Sequence, residues 1–494
     1  MNARLFSRAE IFVQSWRICC LGWAITFPSL AVAGQGFHAG PIYDQFSLTL
    51  DSGHRTEAAG PLFYDQFKET ETTWAVPPLL SYDADPAIEA KEYDLFYPLL
   101  TYERYGREYR WQFCQIFSFA GGRSPEADPV QQRFTLFPFY FQQRSPEPDE
   151  NYTALLPLYG HLKNRLFRDE IFFVLFPLYI ETRRHDVVTD NYFYPLFHWR
   201  HGDGLQGWQF WTLVGNEHKD VTTITNGFNE TETVAGHDKF FALWPFYFDE
   251  TTGRGTDNPE TFHASFLLYA QSRSPQRDYT SLIWPFFAWV DDRGKKYREW
   301  EVPWPLVVFA RGEGKTITRI FPWFSRAYDD TQESDFYLWP LYRYNRIQAS
   351  EYERQRTRLA VYLFENLTEK NLATGAEHRR IGLWPLFTWH RNFNGNRRLQ
   401  IIAPIETILP DIRAVERNWS PLWSLWRAES NPKTGAASQS LLWNFYRLDT
   451  APAARKCSLL FGVFQYQSDS ETTQWRLLQV PVFKSHRQTN RLAK

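Results

Sequence analysis

The sequence predicts an all-β chain, an antiparallel meander of about two dozen repeats, each about 20 residues long. Three observations carry that expectation. Aromatic residues fill 18% of the 494 positions, and such side chains favour half-buried pleated surfaces. A phrase of apolar residue, aromatic, Pro, Leu or Phe, aromatic recurs, as in Leu338-Trp339-Pro340-Leu341-Tyr342, Leu383-Trp384-Pro385-Leu386-Phe387 and Leu175-Phe176-Pro177-Leu178-Tyr179. Between phrases lie Asp292-Arg293-Gly294-Lys295, Gly312-Glu313-Gly314-Lys315 and Asn394-Gly395-Asn396, where Gly and Asn supply the positive φ of tight hairpin turns.

Residues 1–33 read as a signal peptide. Arg4, Arg8 and Arg17 outweigh Glu10 ahead of the apolar stretch Ile18 to Phe27, and Ala31-Val32-Ala33 before Gly34 forms an A-x-A-type cleavage site. The stretch is shorter than the roughly 20 apolar residues of a spanning helix, and Pro28 interrupts it. Cys19 and Cys20 would leave with the signal, and Cys114 and Cys457 alone make no disulfide framework. A net charge of -2 gives no electrostatic reason to expect nucleic acid as a partner.

Residues 34–483 read as one repeat-built β domain. Taking the Pro of each phrase as a marker, the series from Pro41 to Pro481 advances mostly by 17–20 residues. Degenerate copies such as Phe117-Ser118-Phe119 and Trp443-Asn444-Phe445-Tyr446 fill the double intervals. A helix interior would lose ~3 kcal/mol at each Pro, so a helical repeat is excluded. Each unit is expected to be one strand with the phrase in it, followed by a polar connection. The Thr-rich segment near 215–240 is expected to be an extended loop, and 484–494 a polar basic tail.

Side chains alternate faces along a strand, so offsets from the Pro sort into two sets. Even offsets hold aromatics at +2 and often at +4 (Trp199, Trp289, Tyr344, Trp389) and a cation at +6 (Arg104, Arg144, Arg183, Arg311, Arg346, Arg391, Arg427). These eleven residues are the candidates for interface or ligand contact. In an antiparallel meander of one-strand units, the +6 cations fall at alternate ends and form two girdles. A large β-barrel is the leading closure, with a β-solenoid or a propeller as alternatives. The prolines are the main objection to a barrel, because each removes a ladder donor.

The repeated phrase is similar to one in uncharacterised bacterial envelope proteins with tandem aromatic-Pro-Leu-aromatic repeats, and the general pattern resembles outer-membrane β-barrel proteins. That resemblance implies export and a β-rich body, and it brings no activity.

No catalytic, metal or cofactor site is expected. His198 and His201 are three apart, which in a strand puts them on opposite faces, and no H-E-x-x-H, G-x-S-x-G or phosphate-loop motif occurs. Acidic pairs such as Asp291-Asp292 fall where solvated turns are expected. The functional expectation is an exported outer-membrane protein acting in passage or surface display, with membrane lipid as its partner. The alternative is a soluble periplasmic or surface protein that binds an envelope glycan, or another envelope component, through its aromatics and cations.

Overall fold

The computed structural model describes residues 42–122, 132–225 and 231–486. The signal-peptide expectation for 1–33 lies outside these residues, as does the tail beyond 486. The chain is all-β, and among the described residues its principal sheet is one antiparallel meander of 43 strands, each four to eight residues long.

The 20-residue unit is not one strand but two. Val187–Tyr192 and Phe197–Gly202 pair antiparallel around Phe193-Tyr194-Pro195-Leu196, so the Pro phrase is the turn of a hairpin rather than the centre of a strand. The aromatic–Pro bond is cis here and at Pro98, Pro138, Pro177, Pro245, Pro285, Pro322, Pro340 and Pro385, among others. Leu196 N–H donates to Phe193 O at 2.8 Å, closing the turn with Pro195 at its third position, where a type VI turn places a cis proline. The objection that proline removes ladder donors is thereby answered, because no ladder donor is required at that position. Degenerate copies use consecutive positive-φ residues instead, such as Leu442, Trp443 and Asn444.

Because each unit goes out and returns, every phrase comes back to the same edge of the sheet. The opposite edge carries the turns around Gly106, His185-Asp186, Asp203-Gly204 and Gly395 and is mostly polar, with Leu166-Phe167 as an exception. The expected two girdles of +6 cations are therefore one row, on the polar side.

Register is constant over long distances. Directly opposed residues form one row from Trp199 through Trp208, Asn216, Phe240 and Asp249 to Trp289, and onward through Tyr344 to Trp389. All four candidate aromatics thus share one row on one face.

Buried side chains lie on the other, odd-offset face. Tyr152, Ala154, Leu162, Phe173 and Ile180 form one small core, and Val290, Tyr297, Val308, Ala310 and Ile317 another. Small residues such as Ala270, Ser281 and Ala288 occupy much of this face and are fully buried.

Two segments depart from expectation. The 215–240 segment is not one extended loop: Val214–Lys219 and Gly236–Ala242 continue the sheet, and Thr222–Thr225 with Thr231–Val234 make a separate small hairpin. Residues 402–425, where Pro404 and Pro421 suggested further units, instead hold helices α1 (Arg413–Asn418) and α2 (Ser420–Trp423). Pro421 sits in the first turn of α2, where a missing N–H costs nothing.

Candidate functional site

The phrase edge is apolar and exposed. Phe193 is 61% exposed, Trp244 57% and Leu341 54%, and Leu99, Phe139, Leu178, Leu243, Phe286 and Leu386 are similarly open. Neighbouring turns also bond to one another through their backbones. Tyr194 N–H donates to Pro177 O at 2.7 Å, Phe176 N–H to Pro157 O at 2.6 Å and Trp339 N–H to Pro322 O at 2.7 Å. The turns extend the ladder to the very edge.

The even face continues this apolar surface. Trp199 and Trp208 are directly opposed and both exposed, as are Trp289 and Trp300. Near the start of the sheet the same face carries a ladder of rings, Trp74, Tyr82, Tyr93, Tyr102 and Trp111, with neighbouring centroids 4.6 to 6.1 Å apart. Tyr344 and Trp389 lie on this face half-buried, Tyr344 between Asp335 and Thr357 and Trp389 between Ile381 and Leu399. His198 and His201 point to opposite faces, as their spacing predicts.

Six of the seven candidate arginines stand on the even face towards the polar edge, and each has a local partner. Arg144 Nη1 donates to Gln143 O and Tyr152 O, at 3.0 and 3.1 Å, while Nη2 donates to Thr153 Oγ1 at 3.0 Å. Arg311 repeats this clamp on Ala310 O, Ile317 O and Thr318 Oγ1, and Arg273 does so on Ser272 O, Tyr279 O and Thr280 Oγ1. Arg104 caps Gly106 O at 2.9 Å, and Arg346 meets Glu353 at 2.7 Å. Arg183 faces Glu170 at 3.9 Å and Arg391 faces Glu377 at 3.7 Å. These cations staple one strand to the next.

Arg427 is the exception and corrects the sequence reading. It opposes Gln400 and Ser440 on the odd face, because Pro421 belongs to a helix and does not set the strand's phase. There it meets Glu429 at 2.7 Å.

No family model matches the chain, and no curated relative matches it.

The odd face carries a buried charged lock that sequence reasoning missed. Arg417, on α1, reaches strands near the beginning of the sheet: Nη2 lies 2.5 Å from Asp94 Oδ2 and also meets Glu92, and Nε donates to Ser81 Oγ at 2.9 Å. Asn418 Nδ2 donates to Asp94 Oδ2 at 2.7 Å, and Trp419 Nε1 to Tyr97 O at 3.0 Å. Burial opposes charge on Arg417, yet Glu92 and Asp94 hold its pKa above the ordinary guanidinium range. Burial pushes the Tyr64 phenol, which donates to Arg417 O at 2.9 Å, up to about 12. Further along, Asn444 donates to Glu57 at 2.7 Å, and the Arg447 guanidinium lies 3.4 Å from the Phe46 ring centre. The odd faces of the early strands and of the late part of the sheet around residues 417–447 are thus brought together.

Beside this lock is a cavity of about 160 Å³ bordered by His390, Arg398, Glu406, Asp411 and Glu416. Arg398 holds Glu416 at 2.9 Å and keeps its carboxyl below the usual range despite burial. Among the described residues, no group of three or more His, Cys, Asp or Glu side chains has a metal-binding arrangement. Cys114, in an apolar-edge turn, and Cys457, on the even face, are both free thiols.

Proposed function

We propose that the protein is an exported envelope protein seated in the outer membrane by its apolar turn edge and aromatic face, acting in passage or surface display. The observation that carries this reading is the exposed edge with its backbone hydrogen-bonded from turn to turn. Soluble monomers rarely expose contiguous apolar patches beyond a few hundred Å². An unsatisfied backbone group in hydrocarbon costs several kcal/mol, and the bonds between turns lower that cost. The +6 arginines lie beyond the aromatic rows, where cations at a lipid boundary are favourable.

The strand lengths refine the reading. Strands of four to eight residues are shorter than the roughly 9–11 residues of a spanning strand, so the edge enters lipid without each strand crossing it. The contact between the odd faces of the early strands and of the late part of the sheet supports a rolled sheet with that face inward.

Liposome flotation of the purified protein tests the seating. Flotation that resists carbonate, and that is lost in a Leu196→Lys, Leu341→Lys, Leu386→Lys triple variant with unchanged circular dichroism, is the expected result. Each of these leucines is over two-fifths exposed, so burying it in lipid contributes about 1 kcal/mol. Together they shift partitioning by roughly two decades. Recovery of the unmodified protein at the bottom of the gradient would sink the proposal.

A further inference from the structure

The strand Tyr352–Leu359 reads Tyr-Glu-Arg-Gln-Arg-Thr-Arg-Leu, and its alternation puts Arg354, Arg356 and Arg358 on one face. Register places Arg358 opposite Arg343 on one side and Glu365 on the other, while Arg380 opposes Leu367 one strand further on. This is the odd face, the one that carries the lock. Five guanidinium groups therefore share a patch of four adjacent strands whose carboxylates are Glu365 and Glu369.

The acceptors do not match the donors. Glu365 Oε1 takes both Arg356 Nε and Arg358 Nε, the latter at 3.3 Å, and its Oε2 takes Arg380 Nη2 at 3.2 Å. Arg380 Nη1 reaches Asp411 at 3.2 Å, and Arg354 has only Glu369, at 3.4 Å. The Nη groups of Arg356 and Arg358 have no protein acceptor among the described residues, and Arg343 has no charged or hydrogen-bonding partner there. Burial and the neighbouring Arg358 and Arg354 pull the Arg356 pKa below its ordinary value in spite of Glu365. A surplus of fixed, partly desolvated guanidinium groups is costly unless something anionic shares it.

We propose that this odd-face patch, Arg343, Arg354, Arg356, Arg358 and Arg380, is a binding site for an anion carrying several phosphate or carboxylate groups. Arginine's planar fork matches both groups through paired N–H donors, and the patch offers several unused forks side by side. The side chains remain reachable: that of Arg354 is 39% exposed and that of Arg356 28%. Either an acidic polysaccharide or the head group of an anionic lipid carries the required chemistry. The site does not depend on membrane seating, since it lies on the face away from the exposed aromatics.

Calorimetric titration of the full chain tests it, with inorganic tripolyphosphate and an oligogalacturonate as probes and, as a separate arm, the excess binding to phosphatidylglycerol over phosphatidylcholine vesicles, since the apolar edge would enter either lipid. Binding to at least one probe, weakening as salt rises, is expected. Arg343→Gln removes a side chain with no protein partner and should weaken that binding about tenfold. Arg354→Gln should do likewise and serves if the first variant misfolds. Arg326→Gln, an exposed cation on the even face, should change nothing. Binding to the vesicles alone, lost in Arg343→Gln, would assign the site to lipid head groups, and binding to the soluble probes would assign it to free or polymeric anions. Absence of binding to all three, or binding equally tight in Arg343→Gln and Arg354→Gln, overturns the proposal.

Discussion

Arg417 and Asp94 are 323 residues apart in sequence, and their side chains meet at 2.5 Å. Asp94 is fully buried, and Ser81, Thr101 and Asn418 all donate to its carboxylate. Such a pair is weak evidence for net stabilisation, because desolvation offsets much of the attraction. Its effect is positional: it fixes where α1, and with it the late part of the sheet, sits on the early strands.

Removing one partner is a different matter from replacing both. Arg417→Met leaves Asp94 buried, and Glu92 half-buried beside it, without that cation, which should destabilise the protein by about 3–5 kcal/mol. Arg417→Met with Asp94→Asn should recover a large part of that loss. Urea denaturation of the single and double variants measures both. A loss under 1 kcal/mol in the single variant would show that the lock is not holding the two ends.

His390 gives the fold a pH dependence. Burial, with Arg398 and Arg380 nearby, pushes its pKa down to about 4, from about 6.5 in an unfolded chain. Between those values the unfolded chain binds a proton that the folded chain refuses. Stability is therefore full above about pH 6.5 and declines as pH falls towards 4, by a few kcal/mol in total. Glu416, held below the usual carboxylate range by Arg398, adds a further loss as pH falls below about 4.3. Urea midpoints at pH 7.5 and 5 should differ clearly in the natural protein and much less in His390→Gln. Gln keeps an amide able to bond Thr388, which lies 2.7 Å from His390 Nε2.

Much of this architecture is readable in the sequence, and the failures are physically instructive. Alternation correctly put Trp199, Trp289, Tyr344 and Trp389 on one face, because each stands four residues after a cis Pro that holds the same place in its hairpin turn. The phrase itself reads as strand in the sequence, because flanking aromatics such as Trp339 and Tyr342 favour strands locally, whereas Pro340 marks the turn between two strands. That error halved the strand count and split one row of arginines into two. Arg427 was placed on the wrong face because Pro421 looks like every other marker but starts a helix. The Arg417–Asp94 contact leaves no local trace at all. The Arg-x-Arg-x-Arg run at 354–358 did leave one, and period two alone would have exposed it.

Arg311 separates a structural role from a ligand-binding one. Its clamp on Ala310 O, Ile317 O and Thr318 Oγ1 joins two strands near the polar edge. Arg311→Ala should cost about 1 kcal/mol, the net worth of a hydrogen bond or two in a solvent-exposed setting. Arg311→Lys should not restore it, because an ammonium lacks the fork that reaches two carbonyls and a hydroxyl together. Thermal or urea unfolding reads both variants. Full recovery with Lys would mean that charge, and not geometry, is what this position supplies.

Cys114 reports on the edge directly. Its N–H donates to Leu99 O at 2.8 Å, which places the thiol in a turn of the apolar edge, and it is exposed. Cys457 is half-buried, and burial with Asp449 nearby raises its thiol above the ordinary range, so it reacts more slowly. In a Cys457→Ser background, a charged, membrane-impermeant maleimide should label Cys114 readily in detergent-free solution and at least about tenfold more slowly once liposomes are added, since lipid excludes the reagent. A cysteine introduced by His185→Cys, at a polar-edge turn, should react equally fast in both conditions. Equal labelling of Cys114 with and without liposomes, in a sample that floats, would place some other surface against the lipid and leave the apolar edge in water.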